Sequence, residues 1–159
     1  MMQIKPYEPS DVEAVVRLSL RAWSPVFDSL KKALEPSVWQ QFYPDGWQVS
    51  QEKSVRDTCA NADMKTWVAI EGGNVAGFVV VRFHDGKLGE IYMIAVDPNY
   101  QRLGIAMAMT DFAVDRMKEA GMEIAMVETG GDPGHAPARA AYEKAQFRAL
   151  PLARYFRKL

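Results

Sequence analysis

The chain has 159 residues, the length of one ordinary domain, and is long enough to bury a core without disulfide or metal staples. Its composition, 48% hydrophobic and 25% charged, is that of a globular protein and excludes a disordered or fibrous one. Nineteen Lys and Arg against twenty Asp and Glu leave a net charge of -1, which argues against a protein whose work is to coat nucleic acid.

In chain order, a short extended run from Gln3 to Tyr7 comes first. Ser10 and Glu13 have the spacing of a capping box, and Val12, Val15, Val16, Leu18 and Ala22 recur at helical spacing. A helix is therefore expected from about Asp11 to Trp23. The stretch Trp23 to Trp47 holds Trp23, Phe27, Trp39, Phe42, Tyr43 and Trp47 and is broken by Pro25, Pro36 and Pro44. It reads as two short helices, whose aromatics either seal them onto the core or wall an acceptor pocket. A further helix is expected over Val49 to Cys59.

A β-rich centre follows. Thr66 to Ile70, the turn Gly72-Gly73-Asn74 and Val75 to Phe83 read as strand, turn and strand. Asp85-Gly86 is a tight-turn signal leading into a third strand, Leu88 to Val96, which Asp97-Pro98 ends. A long helix is expected over Leu103 to Ala120, closed by Gly121, then a strand over Ile124 to Thr129. Pro137 suits the first turn of a helix reaching Ala145, and Phe147 to Arg157 reads as a last pair of strand segments interrupted near Pro151. The order β-α-(α)-β-β-β-α-β-α-β makes one α/β (α+β) domain over residues 1–159. Its central sheet is expected to be mixed and mostly antiparallel, with helices on both faces.

One cysteine, Cys59, excludes an internal disulfide and a thiolate cluster, and two histidines, His84 and His135, offer too little for a metal site, so no metal is expected. Cys59 reads as a structural thiol and His84 as a solvated residue before a turn. No apolar run nears the ~20 residues of a bilayer span, and Met1-Met2-Gln3-Ile4-Lys5-Pro6 carries no signal-peptide core. A cytoplasmic location with no membrane and no nucleic-acid partner is the expectation.

The most informative stretch is Glu90 to Ala106, where a strand leads through a turn into a helix opened by Gly104. Free amides in the first turn of such a helix, backed by its dipole, suit a phosphate or pyrophosphate. A tight β–α corner accounts for the pattern equally well. There is no Gly-Lys-Ser/Thr P-loop ending and no G-x-G-x-x-G. The run Gln101-Arg102-Leu103-Gly104-Ile105-Ala106, after Ile94-Ala95-Val96-Asp97-Pro98, resembles the acetyl-coenzyme A loop, Gln/Arg-x-x-Gly-x-Gly/Ala, of the GNAT superfamily of N-acetyltransferases. A second resemblance lies at Ala138 to Phe147, similar to that family's Asn-x-x-Ala-x-x-x-Tyr-Glu-Lys-x-Gly-Phe helix, with His135 in place of Asn and Gln146 in place of Gly.

The resemblance implies a GNAT-like acyltransferase with acetyl-coenzyme A as co-substrate. It implies that Gln101, Arg102, Leu103, Gly104, Ile105 and Ala106 cradle the pyrophosphate, that the backbone of Ile94, Ala95 and Val96 pairs with the pantetheine arm, and that His135 touches the cofactor. Glu90 would be the general base, sharing a face with Tyr92, Ile94 and Val96 by strand alternation, and Tyr142 the general acid. Trp23, Phe27, Tyr43 and Tyr92 would contact the acceptor, expected to be a small-molecule amine such as an amino acid derivative, a polyamine or an aminoglycoside-like antibiotic. A protein or peptide N-acetyltransferase, a non-catalytic acyl-coenzyme A sensor and a nucleotide-binding protein are the other readings. A homodimer is expected from the family.

Overall fold

Strand order and register decide which face each candidate residue occupies. The computed structural model describes residues 1–159. Five strands lie side by side in chain order: β1 (Gln3–Pro6), β2 (Met64–Glu71), β3 (Asn74–His84), β4 (Leu88–Val96) and β5 (Ile124–Val127). All neighbours are antiparallel except β4 and β5, which run parallel. The helices are α1 (Val12–Ala33), α2 (Pro36–Phe42), α3 (Trp47–Ala60), α4 (Ile105–Glu119) and α5 (Ala136–Lys144). The mixed, mostly antiparallel sheet and its two helical layers match the expected fold class.

The six consecutive residues Ala76 to Val81 of β3 are all buried, as a central strand covered on both faces requires. On one face Val79, Val81 and Ile91 meet Ile105, Met109, Ala113 and Met117, a four-residue repeat along α4. On the other, Val68, Phe78, Val80 and Ala95 meet Val15, Val16 and Leu18 of α1 and Val55 of α3. Each large side chain buried this way contributes roughly 1.5–3 kcal/mol. Gly77 permits the close approach of α4: a Cβ there would stand 2.8 Å from the Ala95 carbonyl oxygen and 2.9 Å from Met109 Cε.

Three expectations are corrected. α1 does not end near Trp23 but continues through Pro25 to Ala33, so α2 alone remains of the two short helices. An interior proline costs ~3 kcal/mol. Packing outweighs it: Trp23 lies edge-on to Phe78 at 6.1 Å, and Phe27, 8% exposed, stacks on Trp47 at 4.4 Å. The cap at the start also shifts. Pro9 opens a 3-10 turn over Pro9–Asp11, and the Glu8 amide donates to Asp11 Oδ2 at 2.9 Å, so the box forms on Glu8 and Asp11, not on Ser10 and Glu13.

The third correction is the C-terminal end. Residues 148–159 form no strand, and Leu150 and Leu152 are each 78% exposed. Pro151 removes a ladder donor from the middle of the run and leaves pieces too short to pair. Phe156 alone finds an aromatic partner, Phe42, at 5.1 Å.

α5 closes on Gln146 with φ +73°. The Gln146 amide donates to the Glu143 carbonyl and the Phe147 amide to the Tyr142 carbonyl, both at 3.0 Å, a left-handed cap that glycine fits best. Gln146→Gly is therefore expected to stabilise the fold by about 1 kcal/mol, read in a thermal melt as a Tm gain of about 2–4 °C. An unchanged or lower Tm would contradict the cap.

Candidate active site

β4 is the strand on which the site is built. Val80 lies opposite Met93 and Val81 opposite Ile91, so Tyr92 is an extra, bulged residue. The bulge corrects the simple alternation. Ile91, Ile94 and Val96 pack toward α4, while Met93 and Ala95 pack toward α1 and α3. Glu90, one step from Ile91, therefore shares the α1–α3 face with Tyr92 but not with Ile94 and Val96.

β5 accompanies β4 only from Leu88 to Ile91, opposite Ile124 to Val127. β4 runs on to Val96 with no strand on that flank, so the two strands part just beyond Ile91, one residue after Glu90. The opening exposes backbone donors and acceptors of β4 to anything that enters as an added strand would. Glu90 itself is mostly buried, its side chain 15% exposed, and its Oε2 lies 2.5 Å from His84 Nε2. His84 is thus engaged, not simply solvated.

Beyond the opening the chain turns into α4. Asp97, 3% exposed, accepts from the Asn99 amide at 2.9 Å and pairs with Arg21 of α1, while its own amide donates to the Ala76 carbonyl at 2.8 Å. These bonds fix the turn. Arg102 at φ +64° and Gly104 at φ +76° reverse the backbone, and Ile105, 2% exposed, anchors the first turn of α4 in the core. Gln101, Arg102, Leu103, Gly104 and Ala106 stay exposed. The first backbone bond of the helix is from the Ala108 amide to the Gly104 carbonyl at 3.0 Å, so the amides ahead of it face outward at the positive end of the helix dipole. A Cβ on Gly104 would meet nothing within 4 Å.

The segment before α5 is tied to α1 by contacts that the sequence alone did not disclose. Ser29 Oγ donates to Asp132 Oδ2 at 2.6 Å and accepts from the Gly134 amide at 2.9 Å. His135 Nδ1 bonds Asp132 Oδ1, which leaves Nε2 for another partner. Arg139 donates to the carbonyls of Gly130 and Asp132 at 2.6 and 2.8 Å. Burial pushes the Asp132 carboxyl up, but the bonds from Ser29 and His135 and the His135 charge outweigh it and hold it below the ordinary carboxylate range. A depressed carboxyl contributes stability that is present above its unfolded value of ~3.9 and lost as pH falls through the folded value. Asp132→Asn is therefore expected to flatten the loss of stability below about pH 4, followed by denaturant melts across that range. A variant with the full wild-type acid slope would contradict this.

Tyr142 sits on α5 edge-on to Phe147 at 6.1 Å, and burial pushes its phenol up to about 12. It keeps its proton at neutral pH and can donate. Cys59 is also pushed up by burial, to about 11, which makes it a poor nucleophile.

The aromatics divide. Phe27, Tyr43 and Trp47 form one packed group, with Phe27 stacked on Trp47 and edge-on to Tyr43 at 5.5 Å, and Trp23 seals α1 onto Phe78. These four join helices to one another and to the sheet. Tyr92, 41% exposed, stands apart from them and lines a groove of about 470 Å³ with Ser50, Ser54, Asp57 and Asn61 of the α3 flank. No group of three or more His, Cys, Asp or Glu side chains is placed to hold a metal ion, and no helix is long and apolar enough to cross a membrane.

Known proteins share this fold. The chain is 28% identical over 157 residues to a mycothiol acetyltransferase of Saccharomonospora viridis, covering 94% of this chain and 46% of that protein. It spans less than half the length of the mycothiol acetyltransferases it matches, 27% of the one from Thermomonospora curvata. Its fold superposes on the ribosomal-protein-S18-alanine N-acetyltransferase of Escherichia coli with a TM-score of 0.70 at 21% identity, covering 95% and 80% of the two chains. It superposes on AAC(6')-Iy, solved with a bisubstrate analogue containing coenzyme A, with a TM-score of 0.68 at 13% identity, covering 100% and 99%. The model of the acetyltransferase (GNAT) family matches residues 32–147, most of the chain, and this protein belongs to that family.

Proposed function

We propose that the chain transfers an acetyl group from acetyl-coenzyme A directly to the primary amine of a small molecule. The observation that carries this reading is the parting of β4 from β5 beyond Ile91, on the strand that leads into the left-handed turn at Gly104. A slot with free backbone groups next to a helix N-terminus fits a long polar arm ending in a pyrophosphate. Gln101, Arg102, Leu103, Gly104, Ile105 and Ala106 would hold the pyrophosphate, Ile94, Ala95 and Val96 the pantetheine arm, and His135 would offer Nε2. Acetyl-coenzyme A supplies, when bound, an acetyl group activated as a thioester.

The chain's own residues then have two proton tasks. An alkyl ammonium with a pKa near ~10 must lose a proton before it can attack, and Glu90, on the α1–α3 face of β4, would take it. Tyr142, protonated at neutral pH, gives a proton to the departing sulfur. The polar groove beside Tyr92 would receive the acceptor.

The test is a competition among acceptors with acetyl-coenzyme A, small amines and amino sugars against peptides with free N-termini, products identified by mass. Acetylated small amines are the expected result. Turnover of peptides alone would overturn the small-molecule reading in favour of a protein acetyltransferase. Coenzyme A binding without any acetylated product would favour a sensor.

A further inference from the structure

We infer that His84 is the second member of a proton relay, receiving through Glu90 the proton that the acceptor amine loses and passing it to solvent. This rests on the reading of Glu90 as base. The register puts Arg82, not His84, directly across β3 and β4 from Glu90. The carboxylate nevertheless bonds the diagonal neighbour His84, at 2.5 Å, while Arg82 is exposed. Diagonal pairs on one face of an antiparallel ladder lie within reach of long side chains.

The burial gradient points outward. Glu90 is 15% exposed, His84 29%, and after His84 the chain enters the open turn at Asp85 and Gly86. A lone carboxylate is a weak base at neutral pH, and an imidazole, whose ordinary pKa is near ~6.5, is the side chain suited to carry a proton onward there. In the balanced step the acceptor's ammonium nitrogen gives one proton to Glu90 Oε, and the proton on the Glu90–His84 pair leaves from His84 to water. The nitrogen then forms its bond to the acetyl carbon as the carbon–sulfur bond breaks, and the nitrogen's surplus proton balances the one that the sulfur gains.

Arg82 is exposed across the ladder, Asp85 lies in the turn, and Lys87 is held by Glu123 just before β5. Across the groove on α3, Lys53 and Asp57 pair with each other. Met126 of β5, opposite Glu90, carries no charge.

His84→Gln keeps a hydrogen-bond donor within reach of Glu90 but cannot titrate. With one acceptor amine and saturating acetyl-coenzyme A, the variant is expected to lose ~10-fold or more of kcat/KM at neutral pH. The acid limb of its pH profile, to which the imidazole contributes in the wild type, should move to lower pH. The amine's own ionisation is common to both proteins and cancels in the comparison. Added imidazole should partly restore His84→Ala. A His84→Gln profile that superposes on wild type would overturn the relay and leave Glu90 as base untouched. Full activity in Glu90→Gln would instead overturn the base, and the relay with it.

Discussion

Replacing Glu90 by Gln is expected to lower kcat by about 10²–10⁴-fold, the range that a positioned general base contributes. The amide has nearly the shape of the carboxylate and can still meet His84, so the loss would be one of basicity. Coenzyme A affinity should stay at the wild-type value, because the cradle at Gln101 to Ala106 lies beyond the far end of β4 from Glu90. Raising the pH should partly recover the variant, as more of the acceptor arrives already neutral. Initial rates of thiol release and calorimetric titration with coenzyme A read the two quantities separately. Equal rates for wild type and variant would remove Glu90 from the chemistry.

Replacing Gly104 by Val should act on the other half of the site. Gly104 stands at φ +76°, where a β-branched residue is severely disfavoured, and the turn must rearrange to seat it. No protein atom would clash with the new Cβ, so the fold itself should survive with a modest drop in Tm. The first-turn amides of α4 would no longer converge, and the side chain would enter the space read as the anion site. Coenzyme A affinity is expected to fall by about 10²-fold, equivalent to ~2.7 kcal/mol. Unchanged affinity would mean that the phosphate cradle lies elsewhere.

Much of this was legible in the sequence because local chemistry wrote it. Leu88–Val96 emerged with its observed ends because Asp85-Gly86 starts the strand and Asp97-Pro98 stops it. The helix opened by Gly104 emerged for the same reason. The helix through Pro25 was not legible, since the stacking of Phe27 on Trp47 and the burial of Trp23 on Phe78 are tertiary gains that override a local breaker. The bulge at Tyr92 was hidden because a period of two cannot show where a ladder slips. His84 looked solvated until the register brought it diagonally to Glu90. The tie from Ser29 to Asp132 joins residues 103 apart in sequence, a distance over which no spacing rule reaches.

On the proposed reading, one opening between β4 and the Gly104 turn carries a thioester arm and delivers its acetyl group to an amine. Thiol release from acetyl-coenzyme A, followed with and without a small amine for the whole chain, tests it most directly. Release is expected to depend on the amine, to yield the acetylated amine in equal amount, and to fall in Tyr142→Phe. Coenzyme A that neither binds nor competes at this opening would contradict it.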